Sequence, residues 1–136
     1  YILHAEMCEN WGYRRLAGQT KEEAIGETKH AEKIVERILF LEGLPRMDQL
    51  GHIRIGKNVK EHLENDLALE KGAVADYNRS IEISRKAGDN ATADFLKEIL
   101  KDEEEHVDTL ETELSMIEQM GLPNYLAQQM KGEESE

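Results

Sequence analysis

Only one cysteine stands in this chain of 136 residues, Cys8. A single thiol closes no internal disulfide and builds no four-thiolate metal site. A reducing, cytoplasmic setting is therefore expected. Proline is almost as scarce, with two residues. No apolar run approaches the length that spans a bilayer, and no stretch reads as a signal peptide. Basic residues are outnumbered, 17 Lys and Arg against 29 Asp and Glu, which leaves a net charge of −12. A surface this acidic repels nucleic acid and anionic lipid and attracts cations. What remains is 39% hydrophobic and 34% charged, the composition of a protein made of long helices. The length suits one domain with a core of its own.

The hydrophobic spacing sets out the helices of that single domain, 1–136. "YILHAEMCENW" opens the chain as an amphipathic helix, over 1–12, with nothing in front of Tyr1 to cap it. It reads as the later part of a first helix whose beginning lies upstream. "RRLAGQ" reads as a connection. Thr20 and Glu23 then form a T-x-x-E capping pattern, which predicts a second helix over 20–42. Its apolar face runs through Ala24, Ala31, Ile34, Ile38 and Leu41, and Gly43 and Pro45 stop it. Residues 46–57 lack a helical period and read as a long crossover, which can carry the chain from one end of a bundle to the other. Asn58 and Glu61 open a third helix over 58–87. Asp89 or Asn90 caps a fourth over 90–120. A short fifth helix is expected over 123–131, and the acidic "GEESE" is expected to be a mobile tail.

Some polar residues fall on the apolar faces. In "LKDEEEHVDTLE" the fourth helix's stripe passes through 96, 99, 103, 106, 110, 113/114 and 117, which puts Glu103 and His106 among the core positions. Glu104 and Glu105 fall on other faces. The second helix places Glu27 and His30 in its stripe in the same way, and the third places Glu70. A buried carboxylate without a counter-charge costs several kcal/mol, and a multivalent cation offsets that cost. Side chains three apart on a helix are neighbours, so each Glu-x-x-His can offer a carboxylate and an imidazole to one ion. Two Glu-x-x-His helices with further glutamates are the di-iron arrangement of ferritin-like bundles. Oxygen and imidazole donors without thiolates suit iron or manganese. H-E-x-x-H is absent, which argues against a zinc protease.

The stretches "ETKHAEKIVERILFLEGLP" (27–45), "DLALE" (66–70) and "DEEEHVDTLETEL" (102–114) make the chain resemble a bacterioferritin along its whole length. The resemblance implies an all-α, ferritin-like four-helix bundle with a long crossover and a short fifth helix. It implies a cytoplasmic, twenty-four-subunit cage, homo- or heteromeric, that stores iron. Fe(II) would be oxidised by O2 or H2O2 at a di-iron centre inside each subunit. By that resemblance Glu27 and Glu103 match the bridging glutamates, His30 and His106 the terminal histidines, and Glu70 a terminal carboxylate. A sixth ligand, a glutamate of the first helix, is expected about two turns before Tyr1. Tyr1 resembles a tyrosine that supports the ligands, and Asp66 and Asp102 are candidate supporting acids. Haem-binding members carry a methionine directly after the bridging glutamate of the second helix. Here that position is Thr28, so haem b is not expected in this subunit, though the chain could share a cage with a haem-binding paralogue. The alternatives are a rubrerythrin-like peroxidase and a cage subunit without catalysis. His4, His52 and His62 lie off the ligand stripe and read as surface or interface histidines. Trp11 and Tyr125 read as packing residues.

Overall fold

The computed structural model describes residues 1–131, and the acidic tail lies outside them. The described residues fold into five helices: α1 (Ile2–Asn10), α2 (Arg14–Phe40), α3 (Val59–Lys86), α4 (Asn90–Met120) and α5 (Leu122–Gln129). No helix among them is long and apolar enough to cross a membrane.

The helix ends follow from local chemistry. α1 closes in a left-handed turn at Gly12, φ 88°. There the Gly12 and Tyr13 amides donate to the carbonyls of Glu9 and Cys8, the paired bonds of a Schellman cap. The chain restarts at once as α2, six residues ahead of the expected start at Thr20. Thr20 caps nothing and is buried within the helix. The T-x-x-E pattern is a local preference, and tertiary contacts override it. Leu16 and Ala17 are buried ahead of Thr20, and Arg15 Nε donates to Gln129 Oε1 of α5 at 2.8 Å.

α2 ends in a second Schellman cap, but its left-handed residue is Glu42, φ 64°, one position before the expected stop at Gly43. Gly43 serves a different need. Its amide reaches the Ile38 carbonyl at 2.9 Å, and a Cβ there would sit 3.0 Å from Ile38 Cγ2. The expected apolar face of α2 is thinner than the spacing implies, because Ala31 and Leu41 are exposed. No helix or strand lies between Phe40 and Val59. Asn58 then opens α3, its Oδ1 accepting from the Glu61 amide at 2.9 Å while Glu61 Oε2 accepts from the Lys57 amide at 2.7 Å. Asp89 Oδ1 caps α4 by accepting from the Thr92 amide at 3.1 Å.

The chain divides into two compact units. One joins Tyr1–His62 to the described residues from Met116 onward, and the other is Leu63–Ser115. In the first, α1 buries His4, Ala5 and Cys8, α2 buries Leu16 and Ala17, and α5 buries Tyr125 and Gln129. In the second, a cluster of Ile81, Ala93 and Leu96, flanked by Tyr77, Phe95 and Leu100, joins the end of α3 to the start of α4. Leu63, Ile99 and Leu110 continue the buried stripes of these two helices.

Candidate metal centre

In the second unit the buried stripes of α3 and α4 change from apolar to polar midway. Glu70 occupies the α3 stripe between Leu63 and Ile81 and is 2% exposed. Glu103 occupies the α4 stripe between Ile99 and Leu110 and is 1% exposed. His106, one turn further, is half-buried. Its Nδ1 stands 3.8 Å from Glu70 Oε1 and 3.9 Å from Glu103 Oε2. Each of the three offers a ligand atom within 4.8 Å of the others. Glu104 and Glu105 are exposed, so the charge run divides between core and solvent.

Those separations are too long for hydrogen bonds. Donor atoms each about 2 Å from a common ion stand roughly 3–4 Å apart, which matches both separations from His106 Nδ1. The helical frame fixes them, since Glu103 and His106 are three apart on one helix. The donor chemistry points the same way. Two carboxylates this deeply buried repel each other and lose their hydration, and a cation at the same point offsets both costs. With oxygen and imidazole donors, iron or manganese fits the set.

The first unit holds a matching pair. His30 is buried and Glu27 half-buried on α2, and His30 Nδ1 lies 3.6 Å from Glu27 Oε1. Thr28, next in sequence, is exposed, and its hydroxyl donates to the Ala24 carbonyl at 3.0 Å. Among the expected supporting residues, Asp66 is buried one turn before Glu70, Tyr1 is half-buried and Asp102 is exposed.

Two of the histidines read as surface residues are not at the surface. His4 is 5% and His62 2% exposed, whereas His52 is exposed. His4 lies one turn from Cys8 on the buried face of α1. His62 lies at the start of α3, where its ring packs on His4 and Trp11. The sequence carried one signal of this, the i, i+4 spacing of His4 and Cys8 around the buried Ala5. Tyr125 is buried at 1%, in keeping with a packing role.

A ferritin-like domain model matches residues 1–120. A bacterioferritin of Mycobacterium leprae is 42% identical over 128 residues, covering 94% of this chain and 80% of that protein. A bacterioferritin of Brucella melitensis is 45% identical over 125 residues, covering 92% and 78%. One from Streptomyces coelicolor is 40% identical over 127 residues, covering 93% and 76%. The regular elements among the described residues are all helical, the Glu-x-x-His pairs lie on inward-facing positions, and these likenesses agree with both: the chain belongs to the ferritin-like family, in its bacterioferritin branch.

Proposed function

We propose that this chain is a ferroxidase subunit of an iron-storing cage. Its substrates are Fe(II) and O2 or H2O2, and its product is ferric mineral held inside a twenty-four-subunit shell. The observation that carries the reading is the group of Glu70, Glu103 and His106, two carboxylates almost wholly buried with an imidazole nitrogen 3.8 and 3.9 Å away. No packing role explains two acids at core positions of two helices.

The five side chains divide the work of one di-iron centre. By that reading Glu27 and Glu103 would be the bridging carboxylates, His30 and His106 would hold one ion each, and Glu70 would be a terminal carboxylate. Bound iron would supply the electrons that reduce the oxidant. The chain's own residues bind, orient and compensate charge. In both histidines the nitrogen facing the carboxylates is Nδ1. That atom binds metal only in the neutral tautomer with its proton at Nε2. A hydrogen-bond acceptor at Nε2 orients the ring, the part assigned to Tyr1, Asp66 and Asp102. The glutamates bring negative charge to the site, which neutralises much of the charge of the two ions. The net charge of −12 draws Fe(II) toward the protein. At position 28 the chain offers a hydroxyl already donated to Ala24 in place of a thioether, so the usual bis-methionine haem site is not assigned to it.

The test is an anaerobic Fe(II) titration of the whole protein, followed by O2 and read by absorbance. A break at two irons per chain is expected, and it should vanish in Glu103→Ala. If there is no break while light scattering shows an intact assembly, the chain is a shell subunit without oxidation chemistry of its own.

A further inference from the structure

The crossover runs in the open and is held near its far end. From Arg46 to Asn58 every residue is exposed except Gly56, which is buried. Gly56 sits against His62, in the first turn of α3. A Cβ at Gly56 would stand 2.7 Å from His62 Cδ2 and 2.7 Å from the His62 amide nitrogen. The Gly56 carbonyl oxygen lies 2.9 Å from His62 Nε2. A carbonyl only accepts, so Nε2 carries a proton there. His62 is itself 2% exposed. From α1, His4 stacks on its ring with centroids 3.9 Å apart and planes 8° from parallel, and Trp11 stacks on it at 5.2 Å and 24°. The other ring nitrogen, Nδ1, stands 4.0 Å from Cys8 Sγ. One imidazole thus joins the end of the crossover to α1.

We propose that His62 is a pH-sensitive latch: its neutral ring holds the end of the crossover against α1, and uptake of one proton opens it. With the Nε2 proton donated to Gly56, the neutral ring keeps its lone pair at Nδ1, where it accepts the thiol proton of Cys8. A second ring proton has to go on Nδ1. It displaces that bond and puts a positive charge where water does not reach, with a thiol sulfur, a weak acceptor, beside it. Two titratable side chains face the ring from α1, His4 and Cys8, and neither is a carboxylate. The crossover faces it with the Gly56 carbonyl. On α3 itself, Glu61 Oε2 is taken by the Lys57 amide at 2.7 Å, and Asp66 is buried one turn further along. The face of the Trp11 ring attracts a cation, but lost hydration costs more. In the open state water reaches the ring, and an imidazole in water takes up its proton near about pH 6.5. Opening is therefore linked to one proton. The closed state prevails above about pH 6.5, and the open fraction grows as pH falls below it. Few contacts have to break, because the rest of the crossover is exposed.

The test uses the intact protein. Cys8 is the chain's single thiol and is 2% exposed, so its labelling by 4,4′-dithiodipyridine reports the opening. Each rate is divided by that of the urea-unfolded chain at the same pH, which cancels the ionisation of the thiol. Between about pH 7.5 and 5.5 the normalised rate of the wild type should rise about tenfold, the amount that one proton with a pKa near 6.5 in the open state supplies. Far-ultraviolet circular dichroism should stay constant over that range. His62→Gln keeps a donor for Gly56 and takes up no proton, and its profile should be flat. His62→Phe, which keeps a ring between His4 and Trp11, should be flat too and serves if the Gln variant does not fold. A flat profile in the wild type overturns the proposal. So does a tenfold rise that persists in a folded His62 variant, because the proton then goes elsewhere. A loss of helix in step with the labelling also overturns it, because the opening is then that of the whole fold.

Discussion

Glu103 shows most directly how a residue can be wrong for the fold and right for the chemistry. It is 1% exposed, within reach of His106 and close to the equally buried Glu70. In the metal-free protein the two carboxylates have lost their hydration and stand within 4.8 Å of each other. Exchanging a whole buried ionic group for well-packed apolar side chains of similar volume is often neutral or stabilising, whereas removing one partner alone is destabilising. Glu70→Leu, Glu103→Leu and His106→Leu together should therefore make the metal-free protein more stable, by about 1–4 kcal/mol. The same substitutions should remove the stabilisation that metal confers. At 100 times the dissociation constant, a ligand that binds only the folded state adds about 2.7 kcal/mol. Denaturant melts with and without Fe(II), under anaerobic conditions, give both numbers. A metal-free triple variant less stable than the wild type would mean that the three side chains are held by protein contacts alone.

At the scale of the element, the end of α2 makes a second prediction. α1 and α2 both close in Schellman caps, with Gly12 in the left-handed position of one and Glu42 in that of the other. A side chain pays there for the approach of its Cβ to the next carbonyl, roughly 1–2 kcal/mol. Glycine avoids this, at some cost from a freer unfolded chain. Glu42→Gly should raise stability by about 0.5–1 kcal/mol. Gly43→Ala should lower it, because the new Cβ would meet Ile38 Cγ2 at 3.0 Å and Ile38 O at 3.3 Å. Melting temperatures at one fixed protein concentration decide both signs. If Glu42→Gly is destabilising, the Glu42 side chain holds the turn by a contact of its own.

The same helix shows what was legible in the sequence. α3 and α4 could be read almost to the residue, because Asn58 and Asp89 cap them by their own side chains and their stripes are long. The burial of Glu70 and Glu103 follows from the same periodicity. The start of α2 could not be read, because Tyr13 contributes no side-chain cap. What holds that turn is Leu16, Ala17 and the bond from Arg15 to Gln129, over a hundred residues away. His4 and His62 were unreadable for a related reason. Their burial comes from one ring stacking on the other across 58 positions of sequence.

At the scale of the whole molecule, the chain leaves much apolar surface uncovered. In the first unit Leu39, Phe40, Leu41, Leu44, Met47, Leu50, Ile53 and Ile55 are all exposed, with Leu44 at 87% and Leu50 at 84%. They recur at spacings of no more than three residues from the end of α2 through the crossover, a concentration that marks an interaction surface. Each such side chain gives about 1.5–3 kcal/mol when fully buried. Copies of this chain carry −12 apiece, so their assembly works against repulsion that salt screens beyond about 10 Å at 0.1 M. Salt should therefore have opposite effects on the two halves of the proposed function. Self-association should strengthen as salt rises, whereas the rate of Fe(II) capture should fall. The paired substitution Leu44→Glu and Leu50→Glu adds charge to the apolar run and should reduce the assembly to small species at every salt concentration. Light scattering follows the assembly, and circular dichroism checks that the helices are kept. If the substituted chain assembles as the wild type does, the crossover lies outside the contacts that build the shell, and its exposed leucines need another partner.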